Sequence, residues 1–148
     1  EVAGAVKQMD ASDLEAVAAF DKPYFGVDRG DLIRLLFHDA DGMAAVYPSE
    51  GVGIDGYALI RPGSNAYQIG PLVASTAEAA DSLFAWATHR VSGSNLFFDV
   101  PVDNQHAMDL GETAGFTVQR EFTRMYLGPD PHGGNPNGIF ATSGPEKG

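Results

Sequence analysis

One carboxylate stands out for chemistry. Asp99 interrupts the apolar run Leu96-Phe97-Phe98-Asp99-Val100. A carboxylate among apolar side chains must find hydrogen-bond partners or shift its proton affinity, and one held that way can act as a general base. The competing reading is structural, with Asp99 accepting hydrogen bonds from Arg124 or from a loop. A second group of polar and aromatic residues lies on segments expected to be neighbours. Tyr67, Gln68, Arg124 and Tyr126 fall on strand-like runs, and Tyr24, Asp28 and Arg29 near the first helices. Together they are expected to line one concave polar-aromatic pocket, although strand faces alternate and part of the set can belong to an edge or the core.

Other motifs carry less. Residues 51–56 read Gly-Val-Gly-Ile-Asp-Gly, a literal G-x-G-x-x-G. A dinucleotide fingerprint must open a helix, whereas this one leads into a strand-like run, so it reads as a turn. His38, His89, His106 and His132 have no i, i+4 pairing and no carboxylate at ligand spacing, so no metal is expected. Placement of His38 and His89 near helix C-termini suits the helix dipole. The chain has no cysteine, which removes thiol nucleophiles and disulfides, and no G-x-S-x-G that would mark a serine nucleophile.

The 148 residues suit one domain, 1–148, with a Gly/Pro-rich tail from about residue 128. A net charge of −11 argues against nucleic acid or an anionic membrane as partner, since both need a basic face. No apolar run approaches the ~18 residues of a membrane span, and the N-terminus lacks a signal-peptide core, so a cytoplasmic location is expected. Glu1 in place of an initiator methionine is expected of a processed or excised piece.

The elements that must position these residues follow from periodicity. Residues 5–9 form a short strand, and Asp10 or Ser12 caps a helix with an apolar stripe of Leu14, Val17, Ala18 and Phe20, ended by Pro23. A second helix from Asp28 buries Leu32, Ile33, Leu35, Leu36 and Phe37 and closes at Gly42. Strand-like runs cover 43–47, 56–61 and 66–74, joined by turns too short for crossovers, hence an antiparallel meander. Ser75-x-x-Glu78 is a capping-box pattern that opens a helix through Leu83, Trp86 and Ala87. A buried strand at 96–100, a helix at 104–114, a strand at 116–127 and a last strand at 139–142 complete the order β-α-α-β-β-β-α-β-α-β-β. The class is α+β, with a mixed sheet of six to seven strands.

This order, with the stretches GYALIRPGSNAYQIGPLVAS and LFFDVPVDNQHAMDLGETAGF, resembles the GNAT acyltransferase superfamily. The set FGVDR, AYQIGPLVA, FFDVP, RMYLG and SGPEKG resembles the C-terminal half of YitH-type tandem acetyltransferases. The resemblance implies splayed fourth and fifth strands with acetyl-coenzyme A between them. Leu72, Val73 and Ala74 would meet the pantetheine, with Asn104 also on the cofactor. A glycine-rich basic loop before the next helix would hold the pyrophosphate, and a tyrosine after the fifth strand would protonate the thiolate.

Two of those parts do not match. The stretch from Val73 to Leu83 holds neither glycine nor a basic residue, and Glu78 opposes an anion. Gly111 stands at the tyrosine position. The expectation is a degenerate half that positions a small acceptor or packs on a catalytic GNAT domain. Two rivals stay open. One is a competent N-acetyltransferase, with direct amine attack, donors near Leu72 and Val73 as oxyanion site, Asp99 as base and Tyr126 as acid. The other is a homodimerising or ligand-sensing module.

Overall fold

The computed structural model describes residues 6–129 and 133–145. His132, the first five residues and the closing Glu146-Lys147-Gly148 lie outside the described residues. The elements in chain order are β1 (Lys7–Gln8), α1 (Leu14–Phe25), α2 (Gly30–Ala40), β2 (Ala44–Pro48), β3 (Ile54–Pro62), β4 (Tyr67–Ala74), α3 (Ala77–Arg90), β5 (Leu96–Phe98), α4 (Gln105–Thr113) and β6 (Ile139–Ala141). The sheet runs β1-β2-β3-β4-β5, with β6 also on β4. β2, β3 and β4 form the expected antiparallel meander, and α3 carries the chain across to a parallel β5. The class and order are those anticipated. The strand-like run at 116–127, however, forms no strand and is exposed from Thr117 onward.

Helices cover both faces of the sheet. On one face α3 buries Ala79, Ala80, Leu83, Phe84 and Ala87 against Ala58, Ile60, Ile69 and Leu72. On the other, α1 and α2 bury Val17, Ile33, Leu36 and Ala40 against Ala44, Val46, Tyr57, Leu59 and Val73. The central strands are therefore covered on both sides, and β3 and β4 each bury six consecutive residues rather than an alternating set. Burying each large aliphatic side chain contributes about 1.5–3 kcal/mol. Along α2 the buried stripe is 33, 36 and 40, and at 100° per residue Leu35 points to solvent, 55 % exposed.

Two helix boundaries differ from the expected ones. α1 runs past Pro23 to Phe25, and ends where Gly26 takes φ 98° and its N–H bonds the Lys22 carbonyl. α3 is capped by Thr76, whose hydroxyl accepts from the Ala79 N–H at 3.1 Å, rather than by a Ser75–Glu78 box. Ser75 is still tied to the sheet through its N–H to the Asp55 carbonyl, so the cap falls one residue later. Glu78 turns away and accepts from the Tyr47 hydroxyl at 2.9 Å. That bond, chiefly, holds the Tyr47 phenol above its ordinary pKa. The turn at 51–53 leads into β3, as the reading of the glycine-rich motif requires.

Candidate functional site

β4 and β5 pair only from Tyr67–Leu96 to Ile69–Phe98. Beyond that point they part, and β6 lies in the opening. It pairs antiparallel with β4, Leu72 opposite Ala141 and Val73 opposite Ile139. On the other side the Thr142 N–H donates to the Asp99 carbonyl at 2.9 Å. The cleft between the two splayed strands is thus filled by this chain's own backbone.

The surroundings fit that strand closely. Gly70 has φ +144°, and a Cβ there would collide with the Thr142 carbonyl. Gly138 lies under the Tyr24 ring, where a Cβ would have no room. Asn104 performs two tasks at once. Its Oδ1 accepts from the Ala107 N–H at 3.1 Å and caps α4, while its Nδ2 donates to the carbonyls of Ile139 (2.8 Å) and Asn137 (3.3 Å). Past β6, the chain is held by two buried guanidiniums. Arg29 donates to the Ser143 hydroxyl at 3.1 Å, and Arg61 bonds the Ser143 carbonyl and, at 3.1 Å, that of Gly70.

Arg29 itself belongs to a buried cluster. Its Nε and Nη2 donate to Asp21 at 2.6 and 2.8 Å, the Tyr57 hydroxyl donates to the same carboxylate at 2.6 Å, and its guanidinium lies 4.0 Å over the Phe25 ring. Burial pushes the Tyr57 phenol well above its ordinary pKa, with the Asp21 charge adding to it. For Arg29 burial opposes the charge, but the bond to Asp21 and the field of Tyr57 together raise its pKa.

The residues proposed for one pocket fall in several places. Tyr24, Ala74 and Asn104 border a cavity of about 250 Å³ at the start of α3, together with Thr76, His106 and Gly138. Leu72 and Val73 are buried, Leu72 on the α3 face and Val73 on the α1–α2 face, with their backbones paired to β6. Arg29 borders a different and larger opening between α1 and α2. Gln68 and Asp99 meet at the β4–β5 corner, where Gln68 donates to the half-buried Asp99 carboxylate at 3.0 Å, with Tyr67 beside them on β4. Asp99 lies just past the end of β5 rather than inside a strand. Arg124 lies 5.6 Å from the Phe25 ring, and Tyr126 is half exposed in the run that forms no strand.

Two features were not legible in the sequence. His106 pairs with Asp81 at 2.6 Å, a partner 25 residues upstream that only α3–α4 packing brings close. The tail's insertion beside β4 had no sequence signal beyond the apolar Ile139-Phe140-Ala141. Among the described residues no group of His, Asp and Glu is arranged to hold a metal ion, and no helix is long and apolar enough to cross a membrane.

Comparison with known proteins agrees with this architecture. The acetyltransferase (GNAT) domain family matches residues 17–141. The chain belongs to the GNAT acetyltransferase family. Holothin acyltransferase from Pseudoalteromonas sp. (strain SANK 73390) is 29 % identical over 134 residues, which is 86 % of this chain and 44 % of that protein. The chain thus spans less than half the length of this curated relative. Among solved structures, wild-type TTHA1254 from Thermus thermophilus superposes with TM-score 0.58 at 11 % identity over 82 % of this chain and 95 % of that one. A GNAT-family acetyltransferase from Bacillus cereus ATCC 10987 superposes with TM-score 0.57 at 16 % identity over 84 % and 89 %. These likenesses concern the fold.

The family's donor is acetyl-coenzyme A, and the residues present do not fit its arm. The β4 edge at Leu72 and Val73 is bonded to β6, the Asn104 amide is bonded to the tail, and the start of α3 carries Glu78 in place of a basic loop. At the tyrosine position Gly111 packs against the Phe98 ring, whose nearest carbon would lie 3.4 Å from an added Cβ.

Proposed function

We propose that this chain is a GNAT domain that does not itself carry the acyl donor, and that it serves as the degenerate half of a two-domain acyltransferase. Its work is to position a small amine acceptor or to pack on the half that holds the donor. The observation that carries the reading is β6 seated on β4 at Leu72 and Val73, with Thr142 bonded across to Asp99. A pantetheine arm would need those same backbone groups. The named acyltransferase relative, more than twice as long as the stretch it shares with this chain, supports acyl transfer as the activity of the whole and leaves room for a second domain.

Isothermal titration of the chain with acetyl-coenzyme A tests this. The expected result is no heat of binding and no change in melting temperature at saturating donor. Micromolar affinity would overturn it and favour the competent enzyme, in which Asp99 serves as base and β6 must leave the cleft.

A further inference from the structure

The tail, residues 133–145, grips the end of α1 as well as the cleft. At its start, Gly134 packs on the last turn of α1 so closely that a Cβ there would collide with the Tyr24 carbonyl, and one on Gly26 would collide with the Gly134 nitrogen. The Asn135 N–H donates to the carbonyls of Pro23 at 3.2 Å and Tyr24 at 2.9 Å. At its other end, the buried Ser143 hydroxyl accepts from Arg29 at 3.1 Å. Between these ends Gly138 sits under the Tyr24 ring and β6 pairs with β4.

The last turn of α1 depends on these contacts. Proline inside a helix removes an N–H and crowds the carbonyl one turn back, which is why Pro23 is expected to stop the helix. α1 nevertheless continues to Phe25. The final carbonyls of a helix have no partner within it. Here the Lys22 carbonyl takes the Gly26 N–H at 2.8 Å, and those of Pro23 and Tyr24 take the tail's Asn135 N–H. Arg29, at the start of α2, is tied at once to Asp21, to the Phe25 ring and to Ser143 of the tail. The α1–α2 corner is thus completed by backbone and hydroxyl groups more than a hundred residues away in the chain.

That corner borders both openings described above. Tyr24 lies on the cavity of about 250 Å³ at the start of α3, and Arg29 on the opening between α1 and α2. We propose that the tail is a two-ended clamp, in which seating β6 on β4 and ordering the α1–α2 corner are one equilibrium. Packed elements switch between discrete arrangements rather than deforming gradually. Whatever displaces β6 from Leu72 and Val73 therefore loosens the corner, and by reciprocity whatever holds the corner keeps the cleft filled. The coupling does not depend on whether the cleft ever takes a donor.

Amide hydrogen exchange of the full chain tests the clamp. The Gly26 N–H, bonded to Lys22, reports the corner, and the Thr142 N–H, bonded to Asp99, reports the cleft. In the wild type the two should open with the same free energy. The Ile60 N–H, bonded to the Met43 carbonyl within the sheet, should stay slower than either. Gly70→Ala and Asn104→Asp perturb the tail at Thr142 and Ile139, whereas Gly134→Ala perturbs it at Tyr24. Each variant is expected to speed exchange at both reporters by about tenfold. Asn104→Asp, which adds no bulk, carries the test should either glycine variant fail to fold. Faster exchange only at the perturbed end would overturn the proposal. So would wild-type reporters that exchange no faster than Ile60, since the tail would then have no opening of its own. No acyl donor enters this experiment, so its result stands apart from the titration above.

Discussion

Asn104→Asp separates the cap from the latch. The carboxylate keeps the acceptor that the Ala107 N–H needs, and Asp and Asn are nearly equal as N-caps, so α4 should be unaffected. What disappears is the Nδ2 donation to the tail. The Ile139 carbonyl, held at 2.8 Å in a buried setting, loses its donor and faces an oxygen instead. A buried acceptor left unsatisfied costs about 1–3 kcal/mol. The second bond, to Asn137 at 3.3 Å, ends on an exposed residue and should add little. The expected loss is therefore about 1–3 kcal/mol in urea unfolding, located in the tail. Amide hydrogen exchange locates it: the Thr142 N–H, bonded to the Asp99 carbonyl, should exchange markedly faster, while the Met108 N–H in α4 should not. Asn104→Ala should release both. If Thr142 protection is untouched in Asn104→Asp while α4 loosens, Asn104 is only a cap and the account of the filled cleft is wrong.

Two further outcomes follow from the same contacts. Gly70→Ala places a Cβ against the Thr142 carbonyl at φ +144°, and combined strain and overpacking should cost about 2–5 kcal/mol by thermal or chemical unfolding; a neutral result would mean β6 is not seated on Gly70. Tyr57→Phe removes the bond to Asp21 and should cost about 1–2 kcal/mol at neutral pH. Because the folded-state pKa of Tyr57 is raised, its neutral form contributes stability that is complete below the unfolded value near 10 and is lost as pH rises through the folded value. Wild type should therefore lose stability above about pH 10 more steeply than Tyr57→Phe. Parallel curves of unfolding free energy against pH for the two proteins would refute that role.

The chain's order of strands and helices was written in its local patterns. Short turns at 48–53 and 62–66 force antiparallel neighbours, the helix after Ala74 forces a crossover, and the apolar runs at 56–61 and 66–74 have the length and apolar content of central strands. The lack of any glycine or basic residue from Val73 to Leu83 and the glycine at 111 could likewise be read residue by residue. What tertiary structure decided is where the polar and strand-like leftovers went. Nothing local tells Asn104 to hold Ile139, 35 residues away, or tells Arg29 to reach Ser143 across 114. Nor could the strand-like composition of 116–127 show that the run would join no ladder among the described residues. Strand pairing is a contest for one edge of β4, and Ile139, Phe140 and Ala141 hold it because burying them there beside Gly70, with β4 on one side and the Asp99 carbonyl on the other supplying backbone partners, leaves fewer polar groups orphaned than an open cleft would.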